Sequence, residues 1–518
     1  MHRLFILLLC LSSLHAKEDP AHDPVLISRQ LKQSIAKTMP CTVAIFYGGS
    51  ASGVLISPDG LILTAAHVAK HIKDDRGATI VLSDGSTAKA ERLGYNEETD
   101  YALLKIKQPQ RADWPHCQLA ATAPTTGALC YTLAHPSGRI KGRPAQARLG
   151  RITSHGISRS KPFFLFADCN IQPGDSGGPL FSIDGQLIAI DSSASSHLGL
   201  NLFPAIDQYH LDQKRLLNKE RWGDPAKGAV ATFAKKGSLD ASSMKQLQHE
   251  FMRRMKIKYP STIDFVAQRA DASGKLNISQ QDIVQHMTTE ALAISRKQAF
   301  GLGLGDPVFT RKLPEFPRHA ISQVTLYGNK KPLCAGIALD GNHLLTKASE
   351  VDKTDSLSVA IDGKLAPAKV LATDPRWDLA LVRLQDGAPL KPISWPKNIE
   401  DLEAGDLLLA RDLNGSVRWN VAADSRRPLR KNRSMGPVRD RSLISRHRAP
   451  YPMVVRHALP LFAKDAGVPI FNQEGDLVGM HIARFSRTLG LLIPANALRE
   501  LSRELLTKAK EGSQEVQP

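Results

Sequence analysis

The stretch Ser52-Gly53-Val54-Leu55-Ile56-Ser57-Pro58-Asp59-Gly60-Leu61-Ile62-Leu63-Thr64-Ala65-Ala66-His67 decides the fold. Two short apolar runs, Ser52–Ile56 and Leu61–Thr64, flank Ser57-Pro58-Asp59-Gly60. Proline presets φ there and glycine tolerates a positive φ, so the pair reads as an antiparallel hairpin. The run ends on His67, whose imidazole a strand end would hold at the edge of the sheet. Outward from this hairpin, Thr42–Tyr47, Thr79–Leu82, Ala88–Leu93 and Ala102–Ile106 are further β-branched or alternating segments. A second set follows at Ala128–Leu133, Ala147–Ser154, Phe163–Asp168, Leu180–Phe181, Leu187–Asp191 and Leu200–Phe203, and Ile206–Glu220 reads as a closing helix. Two groups of about six short strands predict two small antiparallel barrels packed together.

The pattern then recurs in damaged form. Ala335-Gly336-Ile337-Ala338-Leu339-Asp340-Gly341 runs into Leu344-Leu345-Thr346-Lys347-Ala348-Ser349-Glu350-Val351, tracking Ser52–Val68 with one gap. Asp374–Val382 tracks the segment around Asp100, Lys464–Phe471 tracks Gly174–Phe181, and Glu474–Met480 parallels Asp184–Ile190. An internal repeat of this kind sets the architecture. The chain is expected to be mainly β, with two tandem pairs of β-barrels. Between Trp395 and Pro460 the repeat is weak.

Three groups in the first copy carry chemistry: His67, Asp100 before the run Tyr101–Ile106, and Ser176 within Gly174-Asp175-Ser176-Gly177-Gly178-Pro179. A serine hydroxyl attacks poorly unless a base takes its proton, and the base needs an acid to hold its tautomer. The glycines let the backbone turn sharply, so the N–H groups of Gly174 and Ser176 would face a developing oxyanion. Taken singly, each has a structural explanation: a strand-end histidine, a turn aspartate, a tight glycine turn. Together, in the order His, Asp, Ser on two β-rich halves, they predict a catalytic triad. In the second copy Ser349 falls on the His67 position, Asp378 keeps the acid and Ala466 replaces the nucleophile. That copy is expected to be non-catalytic.

Residues from about Ser28 to Asp207 resemble the HtrA/Deg branch of the trypsin-like serine proteases. The resemblance rests on Ser52–His67, on Leu82-Ser83-Asp84-Gly85, on Thr99–Ile106, on His135-Pro136-Ser137-Gly138 and on Gly174–Leu180. It implies a trypsin-like double β-barrel with the site in the cleft, and peptide-bond cleavage through an acyl-enzyme. The sequence departs from its relatives twice. No Ile-Val-Gly-Gly-like start exists to supply an amine to Asp175, which must find another partner or stay solvated. No PDZ pattern follows the protease-like segment.

The expected organisation is a signal peptide over 1–16, an active trypsin-like domain over 28–220, a helical connector over 221–313 and a degenerate trypsin-like domain over 314–506. Met1–Ala16 has the basic, apolar and small-residue layout of a secretory signal. No later run of about 18 apolar residues is present, so no transmembrane anchor is expected and the protein should be periplasmic or secreted. In the connector, Met244, Leu247, Phe251 and Met255 share one helical face, and Ser279 with Asp282 resembles a capping box. Beyond the leader, Cys41, Cys117, Cys130, Cys169 and Cys334 read as buried structural thiols with room for one bridge. No metal or organic cofactor is implied. The formal charge of +18 favours polyanions, and Arg426–Arg448 concentrates the excess, either as an anion-binding loop or as a solvated insertion. Pocket walls are expected near Ile171–Pro173 and Asp191–His197, with His197 favouring an acidic side chain.

The leading expectation is an exported serine endopeptidase acting on protein or peptide substrates. The alternative is a non-catalytic peptide- or polyanion-binding scaffold of the cell envelope. Oligomeric state is left open.

Overall fold

The computed structural model describes residues 24–223 and 323–514, apart from 108–112, 137–142, 159–160, 195–200, 353, 387–388, 399 and 430–443, together with residue 268. The expected signal peptide and nearly all of the expected connector lie outside the described residues.

The chain opens with α1 (Pro24–Thr38), whose buried Ile27, Leu31 and Ile35 recur at helical spacing. The first half then runs β1 (Thr42–Phe46), β2 (Ser50–Leu55), β3 (Leu61–Ala65), the one-turn helix α2 (Ala66–Ala69), β4 (Ala78–Val81), β5 (Thr87–Asn96) and β6 (Tyr101–Ile106). These pair in the order β5-β4-β1-β2-β3-β6, and β5 pairs with β6 to close the ring. The Ser57–Gly60 turn joins β2 to β3, with Gly60 at φ 86. Next come β7 (Gln118–Leu119), β8 (Leu129–Ala134), β9 (Gln146–Ser158), β10 (Lys161–Ala167), β11 (Pro179–Ser182), β12 (Gln186–Ile190), β13 (Ser193–Ala194) and β14 (Asn201–Pro204). They form a second sheet in the order β13-β14-β10-β9-β8-β11-β12-β7. The closing helix α3 (Ile206–Leu217) is present, but the next two residues form β15 (Arg221–Trp222), parallel to β5. Arg221 and Trp222 thus add to the sheet of the first half.

The second half repeats the plan: β16 (Gln323–Gly328), β17 (Lys331–Ala338), β18 (His343–Lys347), α4 (Ala348–Val351), β19 (Leu357–Ile361), β20 (Lys364–Asp374) and β21 (Leu379–Leu384). Its first six strands close as β16-β17-β18-β21-β20-β19, the same ring order as β1-β2-β3-β6-β5-β4. β22 (Leu407–Arg411), β23 (Val417–Val421), β24 (Arg427–Leu429), β25 (Tyr451–His457), β26 (Pro469–Phe471), β27 (Leu477–Arg484), β28 (Gly490–Pro494) and α5 (Ala495–Gln514) complete it. Here the counterpart of the long β9 is split into β23 and β24.

The halves share a core. Leu407, Leu409, Trp419 and Val421 of the second half pack into the cluster that holds Leu149, Tyr131 and Phe181 of the first. α1 lies at this junction. Ser34 donates to Ile183 O (2.7 Å) and Lys32 pairs with Asp406 (2.9 Å), while Leu407 N donates to Ser28 Oγ (3.3 Å). Five thiols are buried, and Cys130 Sγ stands 3.8 Å from Cys169 Sγ, beyond a disulfide bond of about 2.05 Å.

One backbone contact recurs in both halves. Gly467 has φ 89, and a Cβ there would fall 1.9 Å from Ala335 O. Gly177 has φ 80, with Thr64 Oγ1 at 2.1 Å and Ser52 O at 2.5 Å from such an atom. Gly467→Ala is expected to cost roughly 3 kcal/mol or more, read as a lower urea midpoint. An unchanged midpoint would contradict this close approach.

Candidate active site

β3 ends at Ala65 and the chain turns at once into α2, so His67 sits on the first turn of a short helix rather than on the strand end itself. Asp100 caps that turn from the β6 side. It adopts φ 57, a left-handed conformation unusual outside glycine, just before β6. Its carbonyl accepts from Ala66 N (2.9 Å) and its Oδ1 accepts from His67 N (2.9 Å). The same carboxylate meets the ring: His67 Nδ1 lies 2.9 Å from Oδ2 and 3.1 Å from Oδ1. An imidazole held at Nδ1 by a carboxylate presents Nε2 outward. The Ser192 hydroxyl also donates to Asp100 Oδ2. In the sequence this serine stands only among the expected pocket-wall residues.

The Ser176 loop is fastened to the barrel that carries His67. Ser52 N donates to Ser176 O (2.9 Å), Ser52 Oγ donates to Gly174 O (2.9 Å), and His135 N donates to Ser52 Oγ (2.9 Å). Ser52, the first residue of the deciding hairpin, is thus a tether as well as a strand residue. Gln172–Asp175 forms a turn in which Asp175 N donates to Gln172 O (3.0 Å), with Pro173 and Gly174 (φ 99) at its centre. Among the described residues, neither Gly174 N nor Ser176 N donates to a protein acceptor.

Asp175 finds its partner in Arg148 of β9. Both side chains are fully buried, and Arg148 Nη1 reaches Asp175 Oδ2 at 2.8 Å, where Gln172 N also donates (2.8 Å). Burial pushes the Asp175 carboxyl up, while Arg148 draws it back. Asp191 is equally buried, accepts from Thr132 Oγ1 (2.8 Å), and is pushed well up by burial and by Asp175. The Arg148 guanidinium lies against the first of these two buried carboxyls, and the Thr132 hydroxyl donates to the second. Asp191, expected among the pocket walls, is thus fully buried. His197 lies outside the described residues.

In the second half the scaffold persists with other contents. Asp378 also adopts a left-handed φ of 54, its carbonyl accepts from Ala348 N (2.8 Å) and its Oδ1 from Ser349 N (2.8 Å). Ser349 Oγ spends its proton on Asp378 Oδ2 (2.8 Å), and the fully buried Lys347 lies 3.8 Å from the same oxygen. Ala335 N donates to Ala466 O (2.7 Å), the counterpart of the Ser52–Ser176 contact. Ala463–Asp465 forms a 3-10 turn where the first half has its glycine turn, and Ala466 N is taken by Ala463 O (3.3 Å). Asp465 accepts from Phe462 N (2.7 Å) and Leu413 N (3.1 Å). His481 occupies the Asp191 position, 2.9 Å from His457 Nε2.

Part of the basic stretch is engaged within the protein. Arg426 pairs with Asp401 (3.1 Å) and Arg427 with Asp424 (3.6 Å), whereas Arg430, Lys431, Arg433, Arg439 and Arg441 lie outside the described residues. Among the described residues, no group of three or more His, Cys, Asp or Glu side chains is arranged to hold a metal, and no helix is long and apolar enough to cross a membrane.

The family model for the trypsin-like peptidase domain matches twice, over residues 51–190 and 334–480, together more than half of the chain. The chain belongs to this family. A chain from Chlamydia pneumoniae named as a DegP-like periplasmic serine endoprotease is 31% identical over 153 residues, 29% of this chain and 29% of its own length. One from Synechocystis sp. named as the serine protease HhoA is 31% identical over 173 residues, 32% of this chain and 43% of its own. The protein thus spans less than half the length of these relatives. The crystal structure of the serine endoprotease from Yersinia pestis matches at 24% identity over 36% of this chain and 66% of its own, with a TM-score of 0.31. Two trypsin-like matches in one chain agree with the two barrel-pair halves.

Two outcomes follow from these buried groups. Arg148→Met leaves the Asp175 charge unpaired, and is expected to cost about 3–5 kcal/mol in urea unfolding at pH 7. Burial lowers His481 to about 3, so the unfolded chain binds the extra proton below its ordinary 6.5. Stability should then fall as pH drops from 6.5 toward 3, and His481→Gln should make that fall shallower. Parallel pH profiles for the two proteins would contradict the assignment.

Proposed function

We propose that the first half is an exported serine endopeptidase and the second a non-catalytic partner domain. The observation that carries this is the His67–Asp100 hydrogen bond beside a Ser176 loop tied by Ser52 to the same barrel. In this reading His67 Nε2 takes the Ser176 hydroxyl proton as Oγ attacks the scissile carbonyl. The oxyanion forms between the N–H groups of Gly174 and Ser176. His67 then returns the proton to the leaving amine, and water, activated by the same imidazole, releases the acyl group. Asp100 holds the imidazole by Nδ1 and offsets its transient positive charge, with Ser192 as a further donor to that carboxylate.

The missing nucleophile at Ala466, the Ser349 hydroxyl turned onto Asp378 and the occupied Ala466 N–H support inactivity of the second half. Export is supported by the Met1–Ala16 layout and by relatives named as periplasmic. Proteins or peptides are the proposed substrates. The basic stretch Arg426–Arg448 is proposed as a secondary polyanion contact.

A fluorophosphonate should label each chain once, at Ser176. Ser176→Ala should lower casein or peptide cleavage by at least about a thousandfold. Equal digestion by the two proteins would sink the protease reading and leave the scaffold.

A further inference from the structure

The second half reaches the oxyanion turn of the first. We propose that it serves as a built-in positioning element, holding Arg148 and Gln172, and through them the Gly174 and Ser176 N–H groups, where acyl transfer needs them. This rests on the serine endopeptidase reading of the first half.

The route begins at a strand edge. Residues 146–151 of β9 pair with β8, but β10 covers only residues 152–158 on the other side. The exposed edge at 147–149 is filled from the second half. Ala147 N donates to Ala423 O (3.1 Å). Leu149 N donates to Asn420 Oδ1 (3.1 Å) and Leu149 O accepts from Asn420 Nδ2 (3.0 Å), so one side-chain amide stands in for a neighbouring strand. Gln146 Nε2 adds a bond to Asp424 Oδ2 (3.1 Å), a buried carboxylate that Arg456 holds at 2.9 Å. Arg148 lies between the two residues whose backbone is held in this way. Its guanidinium is the counter-ion of Asp175, the residue linking Gly174 to Ser176.

A second route is direct. Thr488, buried in the β27–β28 connection, donates from Oγ1 to Gln172 Oε1 (3.1 Å). Gln172 opens the oxyanion turn: its N–H donates to Asp175 Oδ2 (2.8 Å) and its carbonyl accepts from Asp175 N (3.0 Å). Two separate segments of the second half therefore converge on one turn. Neither Asn420 nor Thr488 touches the reacting groups, so both are positioning residues. Oxyanion donors act only when pre-aimed, and a displacement of about 1 Å can cost a hundredfold in rate.

The test uses the full-length purified protein and a fluorogenic peptide. Thr488→Val, nearly isosteric, and Asn420→Ala are each expected to lower kcat about tenfold while KM stays within about twofold. Fluorophosphonate labelling of Ser176 should slow in parallel, and Thr488→Ser should keep the parent kcat. A role in stability alone would lower the unfolding midpoint and leave kcat of the folded protein intact. The proposal is overturned if Thr488→Val keeps its parent kcat, or if Thr488→Ser loses as much as Thr488→Val. Should Asn420→Ala fail to fold, Thr488→Val decides the matter. A parent protein that neither cleaves nor labels would defeat the endopeptidase reading itself, an outcome distinct from an active parent with indifferent variants.

Discussion

Arg148 and Asp175 meet at 2.8 Å with both side chains withdrawn from water. A buried carboxylate is expensive to maintain, and it persists only where a charge and further donors compensate it. Here those come from β9 and from Gln172 N, so the strand and the turn are bound to the same oxygen. In zymogen-activated relatives of trypsin a freed amine occupies this place. In this protein an arginine of the sheet stands against Asp175.

The two halves show which parts of the scaffold are mechanical and which are chemical. Both keep a left-handed aspartate whose carbonyl and carboxylate cap the one-turn helix after the third strand. The aspartate can therefore be retained for the turn alone, which accounts for Asp378 standing beside a serine. Both also keep a glycine after the nucleophile position, because a side chain there would collide with the facing strand. What differs is polar. Ser52 becomes Ala335, the arginine at the Arg148 register position, Arg418, pairs with Asp412 (2.7 Å), and Asp191 becomes His481. The polar contacts around the loop change together with the groups proposed to react.

Much of this was legible in the chain. The twelve strands expected in the first half correspond to β1–β6, β8–β12 and β14, with ends displaced by a few residues, because alternation and turn residues are local signals. The His, Asp and Ser types, their order and the damaged repeat were equally visible. Other features were not. The helix α1 carries Ile27, Leu31 and Ile35 at helical spacing, but the segment is too short and too near the expected leader for its periodicity to stand out in the sequence. β22 to β25 lie where the repeat fades, since the split of β9 into β23 and β24 breaks the correspondence.

From sequence alone came the two barrel-pair halves, the three candidate reactive groups and the loss of two of them in the second copy. Each depends on periodicity or on residue type at a short spacing, which linear order records. Tertiary structure alone decided that Arg148 answers Asp175, that Ser192 and Ser52 contact the site residues, and that Asn420 and Thr488 of the far half bond Leu149 and Gln172. Those pairings join residues 27 to 316 positions apart, and burial, which sets their strength, is a property of the packed molecule.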